Sequence, residues 1–134
     1  MKIQGSGALQ AIACDGISKN QIITLHRGDT FEASLFINKG HPLDPERYVL
    51  DANDKLYFGI MEANQPFEFA LIGKMYTSED LDEDGDVVIK IESKETEYVL
   101  PGTYYYEVKL EHTNEDETKT ITTIIPKRKL FLVD

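Results

Sequence analysis

Two stretches of alternating apolar and polar residues constrain the fold of this chain more than any other feature. Val87–Ile91 follows an Asp-Gly turn at Asp84-Gly85, and residues 103–110 follow Pro101-Gly102. Glycine supplies the positive φ that a tight turn requires, and an apolar residue at every second position is the period of a strand with one buried face. Residues 82–110 are therefore predicted to form a strand, a corner and a second strand.

The same period predicts further strands along the rest of the chain, about eight in total. They cover residues 22–25, 31–37, 56–60, 67–71, 87–91, 103–110, 119–125 and 130–133, with at best one more short strand at 9–13. Residues 40–54 are predicted to form a loop, residues 76–86 an acidic link, and residues 93–97 one helical turn capped by Ser93. In the strand 31–37, Phe36 is expected on the face opposite to Phe31.

Short strands at regular spacing, without a helical pattern longer than one turn, indicate an all-β protein. We predict an immunoglobulin-like antiparallel β-sandwich of about eight strands. A small β-barrel is the alternative, because strand count alone does not separate a closed sheet from two stacked sheets. Residues 1–20, interrupted by glycine and polar residues, are expected to form an N-terminal arm or an edge strand, and residues 21–134 the β-sandwich domain.

The charge balance restricts the partners that the chain can bind. Lys and Arg total 14 against 24 Asp and Glu, a net charge of -10, which repels nucleic acid and anionic lipid. A single cysteine, Cys14, cannot form an internal disulfide, and no apolar run approaches the length of a membrane span. We therefore expect neither nucleic acid nor a membrane as partner, and a protein that is cytoplasmic or is assembled in a cytoplasm.

One acidic segment resembles half of a calcium-binding loop. Asp80, Asp82, Asp84 and Asp86 alternate around Gly85, but the twelfth position is Ile91, where an EF-hand needs a bidentate glutamate. Two interpretations stay open. The segment is either a solvated hairpin tip, or a weak calcium site completed by Glu92 or by a carboxylate from another loop.

Other suggestive residues are expected to be structural. Arg27-Gly28-Asp29 matches turn chemistry, and strand alternation directs Tyr104 and Tyr106 inward and only Tyr105 outward. The three histidines, His26, His41 and His112, lie in separate segments without a local partner, whereas a metal site needs converging ligands. We find no nucleophile elbow, phosphate-binding glycine loop or cysteine pair, and predict a protein that is not an enzyme, with no catalytic, cofactor-binding or metal-binding residues and no cofactor.

A family resemblance gives these strands a context. Its segments are Ile23 to Thr30, the alternation from Asp54 to Ile60, Asp82 to Ile91, Leu100 to Leu110 and a closing Thr122-Thr123. In this order they resemble small virion proteins of phages and prophages. The similarity is greatest to the immunoglobulin-like N-terminal domain of baseplate upper proteins from phages of Gram-positive bacteria, and it covers roughly residues 21–134.

The resemblance implies a non-enzymatic structural or adaptor component of a phage or prophage particle, in its tail or baseplate. It implies other virion proteins or copies of the same chain as partners, including a homo-oligomer, and it nominates no catalytic residue. The family continues into regions that reach a receptor-binding protein, so receptor contact is not expected of a chain that stops at Asp134. The alternative is a β-sandwich module that binds carbohydrate or a cell surface through Tyr105, the 40–54 loop and the acidic tip.

Overall fold

Strands dominate the computed structural model, which describes residues 2–3, 9–11, 22–35, 37–41 and 44–134. In these residues the strands are β1 Lys2–Ile3, β2 Leu9–Ala11, β3 Ile23–His26, β4 Phe31–Leu35, β5 Ile37–His41, β6 Asp44–Tyr48, β7 Asp54–Met61, β8 Ile72–Tyr76, β9 Val87–Ile91, β10 Gly102–Thr113 and β11 Lys119–Val133. Within the same described ranges, helical structure is limited to α1 at Ser93–Thr96 and the 3₁₀ turns Phe67–Phe69 and Ser78–Asp80. The predicted all-β class is confirmed.

The strands form one large and two small sheets. The large sheet has five strands in the order β3-β11-β10-β7-β8, and the small ones have the orders β1-β4-β9 and β2-β5-β6. Most neighbours are antiparallel, but β11 pairs with β3, and β4 with β1, in parallel. A parallel pair requires a long connection between its strands, which explains why β3 and β11 come from opposite ends of the sequence.

One hydrophobic core joins the large sheet to the strands β4 and β9. Phe58 of β7 and Tyr106 of β10 are buried at its centre, with ring centroids 6.2 Å apart. Ala33 of β4 and Ile89 of β9 belong to the same buried cluster. The layers therefore stack face to face, as predicted for a sandwich. Burial in this core also raises the pKa of the Tyr106 hydroxyl to about 12.

Alternation identified the inner faces of the central strands. Tyr104 and Tyr106 are buried and Tyr105 is half-buried between them, as predicted. The predicted break between strands 119–125 and 130–133 was wrong, because β11 runs continuously through it. A register shift places Val108 opposite Ile125 and Tyr106 opposite Arg128. This β-bulge accommodates Pro126, which lacks the N–H that a regular ladder position needs.

Two predicted segments differ from the structure. The strand expected at residues 67–71 is instead the 3₁₀ turn Phe67–Phe69, which begins after Pro66, and the following strand starts at Ile72. Proline fixes φ and lacks an amide hydrogen, so it favours the start of a helical turn over a central strand. The loop expected at residues 40–54 was also wrong. It contains β6, which pairs antiparallel with β5 as a hairpin.

Turns follow their predicted chemistry more closely. Gly28 and Gly85 have φ values of 84° and 80°, so the Arg-Gly-Asp and Asp-Gly sequences both form turns as expected. The helical turn at Ser93 is confirmed, but its N-cap is Glu92, which forms a capping box with Glu95. Residue Phe36, most of the N-terminal arm and Cys14 lie outside the described residues.

Candidate functional site

A cluster of hydrogen-bonded polar side chains lies at one end of the large sheet. Asp54 at the start of β7 is the cross-strand partner of His112 near the end of β10. Asp54 continues the buried face of Leu56, and His112 continues the buried face of Leu110. The Nδ1 atom of His112 lies 2.6 Å from Oδ1 of Asp54. Two polar residues on the core face therefore terminate the apolar interior at this end.

Asp54 is a buried carboxylate whose two oxygens both accept hydrogen bonds. Its side chain is 0% exposed. The Oδ2 atom accepts from the hydroxyl of Tyr48, in β6, and from the backbone N–H of Asp51 at 2.9 Å. Charge-assisted bonds of this kind offset the cost of removing a carboxylate from water. Asp54 thus connects the β5-β6 hairpin, the turn before β7 and the strand β10.

The short connection between β6 and β7 positions the second carboxylate of the cluster. Asp51 and Asp54 close a turn in which the N–H of Asp54 donates to the carbonyl of Asp51 at 3.1 Å. The Asp51 side chain accepts from the N–H of Asn53 at 2.7 Å, an Asx turn. Asp51 is exposed, and one of its carboxylate oxygens lies within 4.8 Å of the ligating atoms of Asp54 and His112.

The electrostatics of the cluster favour a charged imidazole. The hydrogen bond to Asp54 raises the pKa of His112 above its usual value; desolvation opposes this effect, and the charges of Asp54 and Asp51 add smaller upward contributions to the pKa. Burial, followed by the bond to Asp54, raises the pKa of Tyr48 far above the usual range of a phenol. Tyr48 therefore stays a hydrogen-bond donor, and protonated His112 is an ion-pair partner of Asp54.

An open groove lies against this cluster, and we call it the His112 groove. Its volume is about 350 Å³. It is lined by Tyr48, Asp51, Leu110, His112, Asn114, Thr120 and Thr122. Thr120 and Thr122 are the cross-strand partners of His112 and Leu110, so β11 forms one wall and β10 the floor. The side chain of His112 is 34% exposed and faces this space.

Hydrogen-bond geometry favours an internally bonded cluster over a metal site. Asp51, Asp54 and His112 have donor types that bind divalent metals, and their atoms lie close together. However, Asp54 already has a partner on each oxygen, and the 2.6 Å separation from His112 is a direct hydrogen bond. The arrangement can orient the imidazole through Nδ1 and present Nε2 to the groove.

The acidic segment predicted as a hairpin tip binds a positively charged side chain, that of Arg47. Asp82 Oδ1 accepts from the N–H groups of Asp84 and Asp86, both at 2.9 Å, which shapes the turn around Gly85. Arg47 donates to the carbonyl of Asp84 and to the carboxylate of Asp86, which is 1% exposed. Three of the four aspartates of the tip, Asp82, Asp84 and Asp86, therefore lie in one turn, and the guanidinium group of Arg47 binds to that turn.

The other residues considered as calcium ligands are engaged elsewhere. Asp80 accepts from the N–H of Thr77 at 2.8 Å and caps a 3₁₀ turn. Glu92 caps α1, and its carboxylate lies 3.4 Å from Lys90 Nζ. The structure thus does not bring either of them to Asp82, Asp84 and Asp86, which form the acidic group at the tip.

The remaining nominated residues do not join the His112 groove. His26 is exposed on β3, and Arg27 pairs with Asp134 at 2.6 Å. Tyr105 lies on β10 between Met61 and Lys129 on the neighbouring strands. The side chain of His41 is outside the described residues. Of the three histidines, the structure thus gives His112 the partner that the sequence did not indicate.

Sequence reasoning missed the Asp54-His112 pair although a signal for it existed. Each residue lies an even number of positions from the buried residues of its own strand, so each is a polar residue at a position that faces inward. An inward-facing aspartate requires a partner, and an inward-facing histidine at the end of another strand supplies one. What the sequence lacked was the register that places β7 beside β10.

Comparisons with known proteins add no relative. No family model matches the chain, and no curated protein matches it either. Among the described residues, no helix combines the length and the apolar character needed to cross a membrane. The function of the chain is therefore inferred from its residues, its fold and the family resemblance of its sequence.

Proposed function

We propose that this chain is a non-enzymatic structural or adaptor component of a phage or prophage particle, in its tail or baseplate, that works through contacts with other virion proteins or with copies of itself. It acts in the virion or is assembled in the bacterial cytoplasm. The resemblance of its strand and turn sequences to baseplate domains supports the particle, and the all-β fold is compatible with it. The observation that carries the assembly role is an exposed apolar surface.

That surface, here named the apolar corner, consists of Phe69, Leu71, Tyr98 and Leu100. Their exposed fractions are 67%, 51%, 88% and 76%. Large apolar side chains on a surface are common singly, but a group of them on neighbouring segments is typical of a protein contact. Aromatic residues such as Tyr98 are also enriched where proteins bind one another.

Two segments bring the apolar corner together. Leu71, just before β8, and Val99, in the connection between α1 and β10, line the same small apolar cavity beside Tyr104. The hydroxyl of Tyr104 donates to the carbonyl of Leu100 at 2.5 Å, which holds that connection against the sheet. The exposed side chains therefore belong to segments fixed by the core, and a fixed surface loses little conformational entropy on binding.

The neighbouring edge of the large sheet favours side-chain contacts over strand addition. β8 is the outer strand of that sheet, and the hydroxyl of Tyr76 in it accepts from the N–H of Lys90 in β9 at 3.3 Å. Lys74, also in β8, forms an ion pair with Glu95 at 2.5 Å. Charged and covered edges resist edge-to-edge pairing. The apolar corner is thus the better candidate for assembly.

Light scattering after size exclusion tests self-assembly through the apolar corner. The wild type is expected to form a discrete oligomer at high concentration, and the double variant Tyr98→Ser/Leu100→Ser a monomer of 15.2 kDa. The control is Met75→Ser/Ile121→Ser, which removes two other exposed apolar side chains, with exposed fractions of 51% and 55%. A wild type that is monomeric at every concentration, or a control that dissociates equally, would show that self-assembly does not use this surface.

The particle itself requires a separate experiment. Particles induced from the producing strain and purified by density should contain peptides of this chain at a constant ratio to the other tail proteins, measured by mass spectrometry. Contact with another virion protein should be lost in the Tyr98→Ser/Leu100→Ser variant and kept in the control. A chain absent from purified particles would contradict the virion assignment.

A further inference from the structure

The His112 groove contains an imidazole that a buried carboxylate orients. A buried carboxylate, Asp54, holds the imidazole of His112 through Nδ1, and the partly exposed ring lines the groove, so Nε2 is the ring nitrogen left for a ligand. No described residue bonds to that Nε2. A pre-oriented polar atom at an open groove is a group available to a ligand.

The lining of the groove has both an apolar and a polar part. Leu110 is buried in the floor, and the half-buried ring of Tyr48 forms a wall while its hydroxyl is engaged with Asp54. Around them, Asp51 offers an acceptor and Thr122 a hydroxyl group, and the hydroxyl of Thr120, whose oxygen accepts from Asn114 Nδ2 at 2.9 Å, still offers its hydrogen. A ligand that fits has an apolar face and several hydroxyl groups at its rim, which is the chemistry of a sugar ring.

The charges near the groove favour a neutral ligand. Asp51 and the net charge of -10 repel anions such as phosphate. The charge of Asp54 is already engaged by Tyr48, by the N–H of Asp51 and by His112, which reduces the attraction for a cation. Two neighbouring hydroxyl groups on one sugar ring fit between His112 and Asp51. One hydroxyl bonds to the imidazole, and the next donates to the carboxylate.

We propose that the His112 groove is a binding site for a neutral saccharide unit, held between Asp51 and His112 with Thr120 and Thr122 at its rim. The site is independent of the apolar corner and of assembly. It would give the chain a carbohydrate-binding role through residues other than Tyr105 and the acidic tip. Because the groove is open and small, the affinity for one sugar is weak, with a Kd on the order of millimolar.

NMR titration of the ¹⁵N-labelled chain tests the site. The panel contains glucose, galactose, rhamnose and N-acetylglucosamine, with inorganic phosphate, calcium chloride and zinc chloride as separate additions. At least one sugar is expected to shift the amides of His112 and Thr122 saturably, and phosphate is not. The variants Asp51→Asn and Thr122→Val, which keep side-chain shape, should each weaken that binding by about tenfold, the loss of one good hydrogen bond.

Matched controls separate binding from folding. Thr24→Val and His26→Gln alter exposed residues of β3 and should bind the sugar as the wild type does. His112→Gln should abolish the shifts while its spectrum retains the dispersion of a folded chain, and Thr122→Val gives the same information if His112→Gln unfolds. The proposal is overturned by an absence of saturable shifts with every sugar, by shifts centred away from the groove, or by binding of zinc or calcium there without any sugar.

Discussion

Asp54 and His112 face each other across β7 and β10, with Oδ1 and Nδ1 separated by 2.6 Å, and they end the core face of the large sheet. Their contact is more than a surface ion pair, because the Asp54 side chain is fully buried and also binds Tyr48 of the neighbouring hairpin. The β5-β6 hairpin, the turn before β7 and the strand β10 therefore all depend on the Asp54 carboxylate. This dependence makes the pair sensitive to both mutation and pH.

Removal of the carboxylate should destabilise the fold. Asp54→Ala leaves the hydroxyl of Tyr48 and the N–H of Asp51 without their acceptor in a half-buried site, at a cost of about 2–5 kcal/mol. Urea denaturation at neutral pH measures the change. Asp29→Ala, at an exposed aspartate, is the control and should change the free energy of unfolding by less than about 0.5 kcal/mol. Equal effects of the two changes would contradict a bonding role for Asp54.

The stabilising effect of His112 should depend on pH. Its pKa is higher in the folded chain than the usual 6.5, because it bonds to Asp54. A raised pKa means that the folded state holds the proton more tightly. The contribution is fully present below the unfolded pKa and is lost as pH rises through the folded pKa.

The measurement compares unfolding of the wild type and His112→Gln across that window. The difference in free energy of unfolding between them should be larger at about pH 5.5 than at about pH 8.5. His26→Gln, at an exposed histidine of β3, is the control variant. A difference that stays constant, or that grows toward alkaline pH, would mean that Asp54 does not favour the protonated imidazole.

Two glycines that face each other across β7 and β8 should respond in opposite ways to alanine. A Cβ atom on Gly59 would lie 2.9 Å from the ring of Phe67, whereas a Cβ atom on Gly73 would meet nothing within 4 Å. Gly59→Ala should therefore cost about 1–3 kcal/mol through overpacking. Gly73→Ala should be neutral or stabilise by up to about 1 kcal/mol, because alanine restricts the unfolded chain. Thermal unfolding decides, and an equal loss for both would refute the contact with Phe67.

Arg47 should stabilise the acidic tip despite its own exposure. Its guanidinium group is 40% exposed, but it donates to Asp86, whose side chain is only 1% exposed. Arg47→Met removes the positive charge beside a buried carboxylate and should cost about 1–3 kcal/mol. Lys94→Met, at an exposed lysine of α1, is the control. If high salt reduces the stability of the wild type to that of Arg47→Met, then the pair is only a screened surface contact.

The sequence predicted best the strands that bury one face against the core, and predicted the connections less well. Residues 87–91 and 103–110 alternate because one face of each contacts the core, so their period is visible. Phe67, Phe69 and Leu71 alternate as well, yet Pro66 directs them into a turn and leaves Phe69 and Leu71 exposed. A segment whose apolar residues alternate but stay exposed has the same sequence pattern as a strand with one buried face.

The candidate site was harder to predict because its parts are brought together by register. His112 and Asp54 are separated by 58 positions, and only the pairing of β7 with β10 makes them neighbours. The acidic tip, in contrast, was recognised from local spacing, because its turn is made within residues 82–86. The guanidinium group that binds it comes from Arg47 in β6, a segment predicted as a loop.

The position of β11 in the large sheet has a consequence for synthesis. β11 lies between β3 and β10, so Ile23–His26 pairs with residues 130–133. During translation the segment at residues 23–26 leaves the ribosome more than a hundred codons before the strand that it pairs with. Until then its edge is unpaired, and non-local pairing of this kind slows folding and exposes strands to aggregation. The segment at residues 23–26 is therefore exposed to wrong pairing until residues 130–133 leave the ribosome.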